Sequence, residues 1–368
     1  ADKLLVITFT NAAAAELKLR IEKKLNEIME NSPYSPLLQK QKILMSNAKI
    51  CTIDSFCLDF IRENYEISGL NPSFKIAEAS VINNLTTLAI NKVFEEYYNA
   101  DDKDFLELLE FVGSDYDDSK LSDSILNIFQ FSRQMPFPRE WINEIKVSYQ
   151  KHAKGISTQW QENALNMVLD LLNEGSIYIQ KACDIIEYHQ EAKSKYSDNY
   201  YYILDFFNSF KEIAQEKNWD KAFNKASEYA PVKCKALKAE YKTAEVEYSK
   251  DLKDKADAIA KSLKTLLYCD LAGLQEEFAF CSSFVDKITE IVYRFEDEFY
   301  KLLKEKNLIT FYIAEQTTLS MVAEYKNGKV VAKSGAEDFI NQYEAVFVDE
   351  YQDTNDLQDC LFSILSDN

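Results

Sequence analysis

An α/β core of parallel strands, split by a large and mostly helical insertion, is the architecture this sequence predicts. Three short apolar runs, each followed by a helical pattern, read as buried strands of a parallel sheet. The third run lies nearly three hundred residues beyond the second. The 368 residues hold only 7 Gly and 6 Pro, and none falls between Pro231 and Gly273, which favours long helices over a turn-rich β fold.

The first strand is Leu4-Leu5-Val6-Ile7, running into Thr8-Phe9-Thr10-Asn11. Thr10 or Asn11 can cap the helix that follows, whose apolar positions include Leu17, Ile21, Leu25 and Ile28. Ser35-Pro36 starts a second short helix with Pro at its first position. The next strand is Lys49–Ile53, with Asp54-Ser55 as the cap of a helix over Phe56–Asn64; Gly69 and Asn71-Pro72 end that unit. The third strand is Ala345–Val348, and Asn355 with Gln358 three residues on predicts a capping box for a helix carrying Leu357, Leu361 and Leu365.

The insertion lies between. Leu85, Leu88, Ala89 and Val93 share one helical face, and Phe284, Ile288, Ile291, Phe295, Phe299 and Leu302 repeat in the same way. Pro136 and Pro138 interrupt it near Arg133–Trp141, and the Lys-rich stretch Lys233–Lys264 reads as a long solvated helix or protruding hairpin. The expected domains are residues 1–78 and 306–368 for the core and 79–305 for the insertion.

Bulk properties narrow the function. A net charge of −19 argues against a general electrostatic grip on nucleic acid, so any such role must rest on particular residues. Seven scattered cysteines without a C-x-x-C pair read as free thiols of a cytoplasmic protein, and with only two His a metal cluster is not expected. No apolar run reaches the ~20 residues that span a bilayer, so no membrane partner is expected. The chain opens at Ala1, directly before a buried strand, and is expected to be part of something longer.

The chemistry concentrates in Val346–Asn355, VFVDEYQDTN. An apolar strand ending in two carboxylates presents them at the carboxyl edge of a parallel sheet, where ligands bind. Phosphoryl transfer needs one carboxylate to hold magnesium and another group to position or deprotonate water, which suits Asp349 and Glu350 respectively. The string resembles the second helicase motif of the UvrD/RecB-like superfamily 1 helicases. Val6–Glu16, VITFTNAAAAE, resembles motif Ia of the same family, written TFTN-x-AA-x-E. Ile50–Cys57, ICTIDSFC, resembles motif Ib, T-x-H-S-F, with Asp54 where the His stands. TFTNAAAAEL, ICTIDSFCLDFIRENY and GLNPSFKIAE, in that order, look closest to AddA-type subunits of helicase–nucleases. Lys306–Phe311, KNLITF, resembles the segment ahead of the Walker B strand, with Thr310 at its usual acidic position.

That resemblance implies an α/β RecA-like (P-loop NTPase-type) core, incomplete in this chain, with 79–305 matching the family's 1B domain. It implies ATP and Mg2+ as cofactors, with Asp349 on the metal, Glu350 as catalytic base and Gln352 sensing the γ-phosphate. Single-stranded DNA would meet Thr8, Phe9, Thr10, Asn11, Thr52, Ser55 and Phe56, with Phe9 stacking a base, and Lys233–Lys264 would reach the duplex. The implied function is a 3′-to-5′ DNA helicase and exonuclease subunit of double-strand-break repair and recombination, working with a second, AddB-like partner. Alternatives are a UvrD-type excision-repair helicase and a non-catalytic DNA- or partner-binding protein. No G-x-x-x-x-G-K-[ST] occurs in the 368 residues, so this chain alone is expected not to hydrolyse ATP.

Overall fold

The computed structural model describes residues 2–31, 34–113 and 117–366. In chain order its elements begin β1 (Leu4–Thr8), α1 (Asn11–Asn31), α2 (Pro36–Leu44), β2 (Lys49–Thr52), α3 (Ile53–Glu63), α4 (Tyr65–Ser68) and β3 (Lys75–Ile76). Helices follow: α5 (Ala79–Asn99), α6 (Lys103–Val112), α7 (Ser119–Ser132), α8 (Pro138–Lys154), α9 (Thr158–Ile186), α10 (Gln190–Gln215), α11 (Trp219–Ser227), α12 (Ala244–Leu266) and α13 (Leu271–Glu305). The last stretch holds β4 (Leu308–Ile309), α14 (Phe311–Val322), β5 (Ala323–Lys326), β6 (Lys329–Ala332), α15 (Glu337–Ile340), β7 (Ala345–Val348) and α16 (Asp356–Ser366).

The chain divides into two compact units, residues 1–146 with 284–368 and residues 147–283, with boundaries inside α8 and α13. Residues 79–146 and 284–305 thus fall in the unit that holds the sheet, whereas the sequence pattern groups all of 79–305 together.

In the first unit the three sequence-predicted strands form one parallel sheet in the order β2-β1-β7. Leu5 and Ile7 of β1 are buried against Phe56, Phe60 and Ile61 of α3 and Leu357, Leu361 and Leu365 of α16. A second core joins α5, α6 and α7 to Ile291, Phe295 and Phe299 of α13. Leu85, Ala89 and Val93 contribute to it as expected, but Leu88 is 57% exposed and does not share their face. β3 and β4 pair in parallel, which brings SFKIAE beside KNLITF. β5 and β6 form a hairpin about Asn327-Gly328, both at positive φ, the turn that matches strand twist.

One cap differs from expectation. β2 ends one residue early, and Thr52 caps α3: its Oγ1 accepts the Ser55 N–H at 3.2 Å, so Asp54 and Ser55 already lie inside the helix. Thr310 caps α14, accepting the Ile313 N–H at 3.2 Å.

The second unit is helical. The three residues between α9 and α10 close a helical hairpin, and Gly175 of α9 faces the buried ring of Phe207 so closely that an added Cβ would lie 2.3 Å from it. The Lys-rich stretch is no protruding arm. Val246, Leu252, Ala256, Ala260 and Leu263 recur at helical spacing on α12 and enter this unit's core, leaving most of the lysines on its outer face.

Candidate functional site at a sheet edge

Parallel pairing decides where the site residues emerge. Ile7 of β1 is in register with Val348 of β7, and Thr8 with Thr52 of β2. The residues that follow each strand therefore leave the same carboxyl edge: Phe9, Asp54, and Asp349 with Glu350. The Asp349 N–H donates to the Ile7 carbonyl at 2.9 Å, so the ladder extends to the first carboxylate itself. Together they line a cavity of about 180 Å³, joined by Asp353, Thr354 and Gln358.

Glu350 turns the chain out of the strand. It holds φ +54, a left-handed conformation that is unfavourable for a residue with a side chain by about 1–3 kcal/mol. Three bonds hold the turn. The Asp349 carboxylate accepts the Glu350 N–H at 3.1 Å, the Glu350 carbonyl accepts the Asp353 N–H at 2.9 Å, and the Gln352 amide donates to the Glu350 carboxylate. Glu350 and Gln352 are thus in direct contact, although nothing in their spacing required it. The capping box forms as expected: Asn355 Oδ1 accepts the Gln358 N–H at 2.9 Å, and Gln358 Oε1 accepts the Asn355 N–H at 3.4 Å.

The other end of Gln358 leads to a residue that no sequence motif singles out. Its Nε2 donates to Glu315 of α14 at 2.7 Å. Burial pushes the Glu315 carboxyl up to about 7, assisted by the charge of Asp54 and opposed by the Gln358 bond and Arg133. Burial also raises Asp54. A single Glu in a helix whose other buried positions are Tyr312, Ala314, Thr318, Leu319, Met321 and Val322 gives no sequence signal beyond its oddity there.

The strand-side residues divide by exposure. Phe9 is 70% exposed, and Thr10 and Asn11 are exposed beside it, with Thr10 Oγ1 accepting the Ala13 N–H at 3.1 Å to start α1. Ser55 is half-buried and receives the Thr52 hydroxyl at 3.0 Å. Thr8 is buried, and its hydroxyl donates to the Thr10 carbonyl at 3.0 Å. Phe56 is 2% exposed and packs against Phe60 and Tyr343, so the expectation of a DNA contact there is corrected: the ring belongs to the core. Thr8 and Thr52 likewise spend their hydroxyls on local backbone and cap positions.

A family model for the UvrD/REP helicase N-terminal domain matches residues 1–368. The chain belongs to that family. Curated relatives named as the A-type subunit of an ATP-dependent helicase/nuclease are similar over 99% of the chain: one of Clostridioides difficile at 31% identity, one of Clostridium beijerinckii at 29% and one of Acetivibrio thermocellus at 28%. The chain spans 29% to 30% of the length of these three. The resemblance to AddA-type subunits read from the motifs agrees with them, and membership gives the chain the RecA-like P-loop type of fold, of which the three-stranded parallel sheet is part.

For a helicase domain of this family the cavity is chemically one-sided. Asp54, Asp349, Glu350 and Asp353 line it, and among the described residues no Lys or Arg joins them. Among the described residues no group of three or more His, Cys, Asp or Glu is arranged to hold a metal. A strand-end carboxylate nonetheless fits magnesium, which commonly takes one or two carboxylates and completes its shell with water and phosphate oxygens. Among the described residues no helix is long and apolar enough to cross a membrane.

Proposed function

We propose that this helicase domain is the part of an ATP-dependent 3′-to-5′ DNA helicase/nuclease subunit that couples nucleotide hydrolysis to strand movement, in double-strand-break repair and recombination. The observation that carries this reading is the common sheet edge of Phe9 and the Asp349-Glu350 pair, fixed by the Ile7↔Val348 register. A strand lying on Phe9 and a nucleotide facing Asp349 would be served by neighbouring strands of one rigid sheet.

Each role follows from position. Asp349 would hold Mg2+ carried in with ATP, and the ion would supply charge neutralisation at the phosphate oxygens. Glu350 orients and deprotonates the attacking water. Gln352, bonded to Glu350, passes the state of the base to the loop that ends at Asn355. Phe9 offers an open aromatic face for a base, while Asn11 and Ser55 supply polar groups to the backbone. Asp54 at the cavity repels phosphate, so a contact there would depend on its being neutral. Residues 1–78 and 306–368 serve as the motor portion and 79–305 as a 1B-like insertion toward duplex DNA. Single-stranded and duplex DNA, a cytoplasmic setting and a second, AddB-like partner belong to the same reading.

The test uses the whole polypeptide that carries these residues. It should separate a 3′-tailed duplex only with ATP and Mg2+, and Gln352→Ala should hydrolyse ATP while losing most strand separation. Unwinding from a 5′ tail, or full unwinding by the variant, would overturn the proposal.

A further inference from the structure

The second unit contains a cavity of about 330 Å³, at the lower end of the range for small-molecule sites. Four rings make much of its wall, Tyr149 of α8, Trp160 of α9, Trp219 of α11 and Phe278 of α13; Leu266, Leu274 and Cys281 complete it, and Tyr268 and Glu277 stand at its rim. The rings meet as the corners of a box. Trp160 and Phe278 are 6.0 Å apart at 88°, Tyr149 and Phe278 5.3 Å apart at 63°, and Trp160 and Trp219 5.4 Å apart at 45°. Trp219 is buried as the floor and pinned, because its Nε1 donates to the Cys269 carbonyl at 3.0 Å.

Among the described residues, Glu277 is the only charged group that lines this cavity. The Tyr268 hydroxyl donates to its carboxylate, which fixes the group at the rim without neutralising it. Behind Trp160 and Phe278 lies buried His152, whose Nδ1 bonds the Ser148 carbonyl at 2.7 Å and whose Nε2 has no partner.

Aromatic faces carry partial negative charge, and several of them around one carboxylate make a site whose complement is a cation with an apolar skirt. We propose that this cavity binds a compact organic cation, an alkylammonium head either free or borne on a lysine side chain. A nucleobase would match the rings, but it brings a phosphodiester toward Glu277. Asp220 and Asp270, which cap the start of α13, add further negative charge close by.

Two of the chain's three tryptophans line this cavity, so intrinsic fluorescence reads it directly once Trp141 is replaced by Phe. At constant ionic strength, tetramethylammonium and acetyl-trimethyllysine amide are titrated against the neutral isostere 2,2-dimethylpropanol and against thymidine monophosphate. Saturable binding of either cation roughly tenfold tighter than the isostere is expected. The tighter of the two cations tells whether the source is free or side-chain borne. Glu277→Gln should weaken cation binding by about fivefold without weakening the isostere, and Trp160→Leu should abolish saturable cation binding as read through the remaining Trp219. If Trp160→Leu fails to fold, Glu277→Gln at the rim still decides. Equal binding of the isostere, tighter binding of the nucleotide, or no saturation by either cation overturns the proposal.

Discussion

Replacing Glu315 by Gln should remove a pH dependence from the fold of the sheet-bearing unit. The carboxyl is buried and shifted from 4.5 to about 7, so the folded state holds a proton that the unfolded chain releases. Its stabilising contribution is fully present below about pH 4.5 and is lost as pH rises through about 7. At about 1.4 kcal/mol per unit, the loss between pH 4.5 and 8 is on the order of 3 kcal/mol. Asp54, Cys57, Arg133 and Gln358 face this group and remain in the variant. Gln at 315 still offers an oxygen to Gln358 Nε2 and cannot ionise. The assay is equilibrium urea denaturation of wild type and Glu315→Gln between pH 4.5 and 8, read by hydrogen exchange of peptides covering α14 and α16. The two should agree near pH 4.5, with the variant more stable by on the order of 3 kcal/mol at pH 8. Stability curves that stay parallel across this range would show that Glu315 takes up no proton on folding.

Phe9→Ala should weaken single-stranded DNA binding by about 1–3 kcal/mol in fluorescence anisotropy while leaving the melting temperature unchanged, since the ring is exposed. Phe56→Ala should do the reverse in thermal denaturation, costing about 3–5 kcal/mol of stability. Gly175→Ala should destabilise the helical unit in urea by about 1–3 kcal/mol, because the new methyl meets Phe207; a gain in stability would show that the ring can move. A polypeptide of residues 1–368 alone should show no DNA-stimulated ATP hydrolysis, and turnover in a phosphate-release assay would sink that expectation.

The strands and the motif positions were legible in the sequence because each depends on local information. A four-residue apolar run bounded by hydroxyls and carboxylates can pack in few other ways, and Leu4–Thr8, Lys49–Thr52 and Ala345–Val348 all pair as parallel strands. The Asn355/Gln358 capping box is equally local. What stayed hidden depended on tertiary placement. Phe56 is buried because its side of α3 packs into the core beside α14, whereas Phe9 lies just beyond the end of β1 and is exposed, and no single motif encodes either placement. The Lys-rich α12 looked solvated because its buried stripe mixes Val246, Leu252 and Leu263 with the small Ser249, Ala256 and Ala260 and with Lys253 and Asp257, which dilutes the apolar signal. Glu315 was invisible because its meaning comes from Gln358, 43 positions later in the chain. Asn327-Gly328 is a turn signal for the β5–β6 hairpin that went unread, because its flanks, AEYK and KVVA, alternate too weakly to read as strands.

Whether Asp349 and Glu350 form the hydrolytic edge of a DNA motor is decided by the rate of DNA-stimulated ATP hydrolysis by the whole polypeptide carrying Glu350→Gln. Loss of the base should lower kcat by roughly 10²–10⁴-fold and leave ATP binding near the wild-type level. A kcat within a few-fold of wild type would contradict the account.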